Sequence, residues 1–127
     1  MAVSKSMPIL IVDDYNTMVR VVRNLLRQLG FSNIDEASDG HTALTKMKAK
    51  DYQLVISDWD MSGMTGAELM RHLRSSDRYR RTPVLMIASD ADDGAVATGR
   101  AGANSYITKP VTAPMFKAKL ESVLGAF

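Results

Sequence analysis

Short apolar runs alternate along the chain with longer stretches in which apolar residues return every three or four positions. Pro8 to Val12 (PILIV) is apolar and rich in β-branched residues, and Asp13 and Asp14 end it abruptly, which predicts a buried first strand. Met18, Val21, Val22, Leu25, Leu26 and Leu29 follow at helical spacing, with Arg20, Arg23 and Arg27 on the other face and Gly30 at the stop. Asn33 to Ala37 reads as a weak second strand, Asp39-Gly40 as a turn, and Ala43, Leu44 and Met47 as the stripe of a second helix. Gln53 to Ser57 is the third strand and runs into Asp58, Trp59 and Asp60. Beyond a loop with Gly63 and Gly66, Thr65 and Glu68 have the spacing of a capping box for a helix burying Leu69, Met70 and Leu73. Pro83 opens a fourth strand, VLMIA. Ala91 to Gly102 predicts a weak fourth helix, because Gly94 and Gly99 each cost about 1 kcal/mol relative to alanine. Ser105 to Thr108 is the fifth strand, closed by Lys109-Pro110, and a last helix from about Thr112 turns Phe116, Leu120, Val123 and Leu124 inward.

Strands alternating with helices predict an α/β fold with a doubly wound parallel sheet, since right-handed crossovers lay helices over both faces. Ligands of such sheets bind outside the carboxyl ends of the strands, where the strand order reverses. Asp13 and Asp14 follow strand one, Asp58 follows strand three, Ala88 and Ser89 end strand four, and Lys109 follows strand five. In the order 2-1-3-4-5 the three aspartates converge from distant segments. Aspartate is also a preferred N-cap, so Asp13 or Asp14 taken alone reads equally as the cap of the first helix. Asp58 does not fit that reading, because Trp59 rather than a helix start follows it.

Length and composition narrow the chemistry. With 127 residues, 46% hydrophobic and 24% charged, the expectation is one globular domain, residues 1–127, with no attached output domain. The absence of cysteine removes disulfides, thiolate metal sites and cysteine nucleophiles, and only two histidines are present, His41 and His72, with no partner at ligand spacing. No apolar run reaches the roughly 18 residues of a membrane span, and MAVSKSM is not a secretory leader, so a cytoplasmic chain without membrane insertion is expected. A net charge of +2 and the arginines from Arg71 to Arg81, with one interleaved aromatic, do not indicate nucleic acid. The nine methionines read as core filling.

Three clustered carboxylates repel one another by roughly 4 kcal/mol per pair at 4 Å and an effective dielectric near 20. Protons or a cation must relieve that cost. A hard divalent ion, Mg2+ before Ca2+ in the absence of an EF-hand loop, takes one or two carboxylates and leaves another free to react. With Lys109 nearby, the set is suited to placing a phosphoryl group on Asp58.

LIVDD, VISDWDMSGMTG, VLMIAS and AGANSYITKP together resemble the receiver domain of two-component response regulators, over nearly the whole chain. Within that family TMVRVVRNLLRQLGF and SDWD resemble the single-domain chemotaxis regulators of the CheY type. The resemblance implies a flavodoxin-like (βα)5 fold with strand order 2-1-3-4-5 and a monomer. It implies Asp58 as phosphoacceptor, with Mg2+ held by Asp13, Asp14, Asp58 and the backbone carbonyl of Asp60. Lys109 would contact the phosphoryl oxygen, and the Lys109-Pro110 bond that follows it would be cis. The implied donor is a histidine kinase of the CheA kind, and the implied output face is the fourth helix, fifth strand and fifth helix, directed to the flagellar switch protein FliM. A phosphatase is a further implied partner.

Two departures from the family pattern matter. The switch serine or threonine falls on Ala88, which has no hydroxyl, while Ser89 would point to the opposite face of a strand. The family's hydroxyl draws the following loop inward and lets the aromatic at Tyr106 turn in, so its loss predicts weaker coupling. Asp60 and Asp90 also border the pocket and should tune the cation and the lifetime of the phosphate. Two rival functions follow. One is a phosphate sink or kinase-modulating receiver without motor output, prompted by Ala88. The other reads Asp58 and Asp60 as the DxD pair of a haloacid-dehalogenase-like phosphatase, against which stands their place after the third strand of a short chain.

Overall fold

The computed structural model describes residues 3–88 and 102–127. In chain order these form β1 (Ile9–Val12), α1 (Asn16–Gln28), β2 (Ile34–Ala37), α2 (Gly40–Ala49), β3 (Leu54–Asp58), α3 (Gly66–Ser75), β4 (Val84–Ala88), β5 (Ser105–Thr108) and α4 (Ala113–Leu124). The helix expected between Ala91 and Gly102 falls almost wholly outside the described residues, as do Ser89 and Asp90, so the helix expected fifth is α4 here. The five strands form one parallel sheet in the order β2-β1-β3-β4-β5, the flavodoxin-like order read from the sequence.

Strand side chains alternate between two cores, as the pleat requires. Ile9, Ile11, Ile56, Leu85, Ile87 and Ile107 face Val19, Val22 and Leu26 of α1 and Phe116 and Leu120 of α4. Leu10, Val12, Val55, Val84 and Met86 face Ala43 and Met47 of α2 and Leu69, Met70 and Leu73 of α3. β1, β3 and β4 are buried along their whole length, which is why they read as continuous apolar runs.

Local signals set most element ends. Gly30, at φ 98°, follows the last turn of α1 in a conformation that favours glycine. The Thr65 capping box is present: Thr65 Oγ1 accepts from Glu68 N at 3.2 Å and Glu68 Oε1 accepts from Thr65 N at 3.3 Å. Asp39, expected in a turn, is instead the N-cap of α2, accepting from Thr42 N at 2.7 Å. β3 extends one residue further than its apolar run, so Asp58 is the last strand residue rather than the first of the loop. The buried line of α1 runs through Val19, Val22 and Leu26, with Met18, Leu25 and Leu29 only partly covered.

Candidate functional site

The carboxyl edge of the sheet gathers the polar residues. Asp13 leaves β1 with its N–H donated to Ala37 O at 3.1 Å, and its Oδ1 accepts from Tyr15 N at 2.9 Å. Neither Asp13 nor Asp14 caps α1: the N-cap position is Tyr15, whose side chain makes no capping bond. Asp14 is exposed, and its Oδ2 accepts from Ser62 N at 2.9 Å, tying the loop after β3 to the end of β1. Ser62 acts through its backbone and left no signal in the residue pattern.

Asp58 is buried at the end of β3, one strand over from Asp13. Behind it the backbone is crowded. Trp59 N donates to Ile87 O and Gly66 N to Trp59 O, both at 2.9 Å. A Cβ on Gly66 would lie 2.8 Å from both Asp58 O and Trp59 Cα, so only glycine lets α3 start this close to the strand end. β5 supplies the cation. Lys109 N donates to Ala88 O at 2.8 Å and Lys109 Nζ stands 3.3 Å from Asp58 Oδ1. The Lys109-Pro110 peptide bond is cis.

Asp13, Asp14 and Asp58 each present an oxygen within 4.8 Å of the others. Asp13 Oδ2 and Asp58 Oδ1 are sealed from solvent without a well-directed hydrogen bond, although Lys109 ion-pairs with the latter. Burial is the main reason the Asp13 carboxyl is pushed up to about 6, against the Tyr15 N–H, with the Asp58 charge adding to the rise. Burial also raises Asp58, opposed by the Lys109 ammonium and the Asp60 N–H, while the Asp60 carboxylate adds a smaller push upward. Asp14 moves the other way because the Ser62 N–H stabilises its charge. Two buried carboxylate oxygens without well-directed donors, on Asp13 and Asp58, beside the exposed carboxylate of Asp14 fit a hard divalent cation such as Mg2+.

The remaining predicted residues are dispersed around this centre. Ala88 ends β4 buried, presenting a methyl in place of a switch hydroxyl. Tyr106 is half-buried on β5, packed against the second core and with Lys119 Nζ 5.1 Å from its ring centre. Asp60 is exposed. His41 and His72 are exposed on α2 and α3, away from any metal-type cluster among the described residues. No helix among the described residues is long and apolar enough to cross a membrane.

Comparison with known proteins agrees with this geometry. Residues 9–121 match the response regulator receiver domain family. The chain is 46% identical over 121 residues to the chemotaxis protein CheY-3 of Vibrio cholerae, covering 94% of this chain and 93% of that one. It is 45% identical over 118 residues to the chemotaxis protein CheY of Pseudomonas aeruginosa, covering 92% and 95%. Among solved structures, the receiver domain of a sensor histidine kinase from Pseudomonas aeruginosa, described with a magnesium ion coordinated in its active-site cleft, superposes with a TM-score of 0.85 at 24% identity, covering 95% of this chain and 99% of that one. A parallel sheet in the order β2-β1-β3-β4-β5, an acidic cluster at its switch point and a match along most of the sequence place this chain in the receiver domain family of two-component response regulators.

Proposed function

We propose that this chain is a chemotaxis signalling protein of the cytoplasm, acting as a monomer, that takes a phosphoryl group onto Asp58. The donor is a histidine kinase of the CheA kind. The convergence of Asp13, Asp14 and Asp58 within 4.8 Å, with Lys109 at 3.3 Å from Asp58, carries the reading. An Asp58 carboxylate oxygen bonds to phosphorus while the phosphorus–nitrogen bond to the kinase histidine breaks, and the imidazole retains the leaving electron pair. Lys109 opposes the rise that burial imposes on the Asp58 carboxyl and compensates charge gathering on the phosphoryl oxygens. Asp13, Asp14, Asp58 and the Asp60 carbonyl would hold Mg2+, which supplies further charge compensation when bound. Beyond phosphorylation and dephosphorylation of its own Asp58, assisted by a partner phosphatase, the protein turns over no substrate.

Incubation with acetyl phosphate and Mg2+ followed by intact mass should add one phosphoryl group to the wild type and none to Asp58→Asn. An unchanged wild-type mass overturns the reading. Output runs through the face that includes β5 and α4, with Tyr106 on β5, to a flagellar switch protein of the FliM kind. The methyl of Ala88 favours a second reading, a phosphate sink that drains the kinase without reaching the motor. A hydrogen bond to a charged group contributes about 1.5 to 3 kcal/mol, so its absence would weaken coupling roughly 10- to 150-fold. Binding of a FliM-type peptide with and without beryllofluoride separates the two. Ala88→Thr should increase the beryllofluoride-dependent affinity.

A further inference from the structure

Among the arginines between Arg71 and Arg81, Arg74 has surroundings unlike those of its neighbours. Arg78 pairs with Asp51 at 2.8 Å and Arg80 with Asp77 at 3.6 Å, both pairs on the exposed surface. Arg74, in the last turn of α3, is half-buried. Its Nε donates to Gly102 O at 3.0 Å, its Nη1 to Tyr79 O at 3.4 Å, Arg80 O at 3.2 Å and Thr82 O at 2.9 Å, and its Nη2 to Asn104 Oδ1 at 3.1 Å. All five of these acceptors are neutral. They lie on the connection from α3 to β4 and on the residues entering β5, so one planar fork joins three elements.

Asn104 continues the chain of contacts. Its Oδ1 also accepts from Val84 N at 2.8 Å, and its N–H donates to Val84 O at 3.0 Å, fastening the first residue of β4 to the residue before β5. β5 is an edge strand of 4 residues, laddered only to β4, and it carries Lys109 just beyond its end. A slip of one residue would move Lys109 by about 3.3 Å. That equals its whole 3.3 Å separation from Asp58 Oδ1. It would also turn alternate side chains to the wrong face.

We infer that Arg74 is a positioning residue for phosphoryl transfer, fixing the register of β5 through Gly102 and Asn104 so that the Lys109 ammonium meets Asp58. This rests on the function proposed above for Asp58 and Lys109. Asp13 and Asp14 follow β1 and Asp58 ends β3, and their polar side-chain contacts run to Tyr15, Ser62 and Lys109 rather than to Arg74, so loss of a cation ligand and displacement of the lysine are distinguishable.

Arg74→Met and Arg74→Lys, each checked for folding by circular dichroism, test this in the full chain, with Arg74→Lys used where Arg74→Met does not fold. Mg2+ affinity is followed by the fluorescence of Trp59, the single tryptophan, and phosphorylation by acetyl phosphate at saturating Mg2+. Loss of register should slow phosphorylation about tenfold without lowering Mg2+ affinity, since none of the proposed ligands lies on β5 and retreat of the Lys109 ammonium removes a rival cation from Asp58. In a Lys109→Ala background the Arg74 substitution should slow the reaction no further. Equal slowing in both backgrounds, a matching loss of Mg2+ affinity, or an unaltered rate in a folded variant overturns the inference. The side-chain NMR resonance of Lys109 in metal-free protein gives a readout that needs no phosphoryl chemistry. It should move toward that of a free lysine in the variant, and an unmoved resonance also overturns the inference. A wild type that takes no phosphoryl group while that resonance does move defeats the proposed function instead.

Discussion

Two clusters of charge flank β1, and they have opposite character. On the β2 side, Asp35 Oδ2 accepts from Tyr52 Oη at 2.6 Å and from Lys50 Nζ at 3.0 Å, while Lys50 also donates to Asn33 Oδ1 at 3.0 Å. Those bonds hold the Asp35 carboxyl below its usual range, Tyr52 contributing most, and burial together with Asp35 pushes the Tyr52 phenol up. At the β1/β3 switch point the carboxylates outnumber the cations beside them, and Asp13 and Asp58 are raised. The first cluster is complete as it stands. The second is stable only with protons or a cation, and that deficit distinguishes a site from a structural salt bridge.

Titration of stability tests this contrast with the largest expected effect. The folded pKa of Asp13, about 6, lies above its ordinary 3.8, so the folded chain holds a proton that the unfolded chain has already released. Metal-free protein must therefore lose stability as pH rises from about 4 to about 6, by roughly 2 to 3 kcal/mol at 1.36 kcal/mol per pKa unit. Asp58 shifts in the same direction and adds to the fall. Urea denaturation of wild type and Asp13→Asn across that window should show the variant with the flatter profile and greater stability near neutral pH. Mg2+ at about a hundredfold excess over its dissociation constant should restore about 2.7 kcal/mol to the wild type. A wild-type profile that rises through the window would erase the distinction between the two clusters.

The next effect concerns the backbone that holds the site open. Gly66→Ala places a Cβ 2.8 Å from Asp58 O and Trp59 Cα, atoms that cannot move aside as a flexible side chain can. The cost is expected at about 2 kcal/mol by overpacking, with the acidic end of β3 displaced. Thermal denaturation measures the first, and weaker Mg2+ quenching of Trp59 fluorescence the second. No comparable crowding surrounds Gly63, where an added Cβ would meet nothing within 4 Å and only the φ of 71° favours glycine.

How much of this was legible in the sequence depended on whether the signal was local. β1, β3 and β4 announce themselves as apolar runs because both faces are covered, and Asp13, Asp14, Asp58 and Lys109 stand out as the charged residues where those runs and β5 stop. Thr65 and Glu68 carry their capping spacing on the surface of the sequence. Asp39 was harder, since Asp-Gly signals a turn as strongly as a helix start until the Thr42 N–H is seen to reach it. Arg74 could not be singled out at all. Four of its five acceptors are backbone carbonyls, which every residue owns, and only the fold makes these converge. Ser62 escaped for the same reason, and Gly66 reads only as a loop glycine until the fold brings it against Asp58 and Trp59.

A smaller effect comes from the completed cluster. Asp35→Asn should cost about 1 kcal/mol near neutral pH, one charged hydrogen bond discounted because Asp35 and Lys50 are each more than a third exposed. Its folded pKa is depressed, so the contribution is present above about pH 4 and disappears as the pH falls through the folded value. Asp35→Asn and Asp13→Asn should thus move stability at neutral pH in opposite directions, and chemical denaturation of the two variants side by side checks it. Destabilisation by both would mean that Asp13 is as well partnered as Asp35.

The smallest effect bears on whether pairing alone marks a charge as important. Arg78 donates to Asp51 Oδ1 from Nε at 3.2 Å and from Nη2 at 2.8 Å, a closer association than Lys109 makes with Asp58. Yet Asp51 is 84% exposed and Asp58 only 4%. Water solvates the surface pair almost as well apart as together, so Arg78→Ala should barely move the melting temperature at low salt and leave it within error at high salt. Lys109→Ala leaves a buried carboxylate without its cation, and the pH-dependent loss seen in the metal-free wild type should deepen. Thermal denaturation of both variants in low and high salt would show this ordering. A larger effect at Arg78 would mean that distance rather than burial governs these pairs.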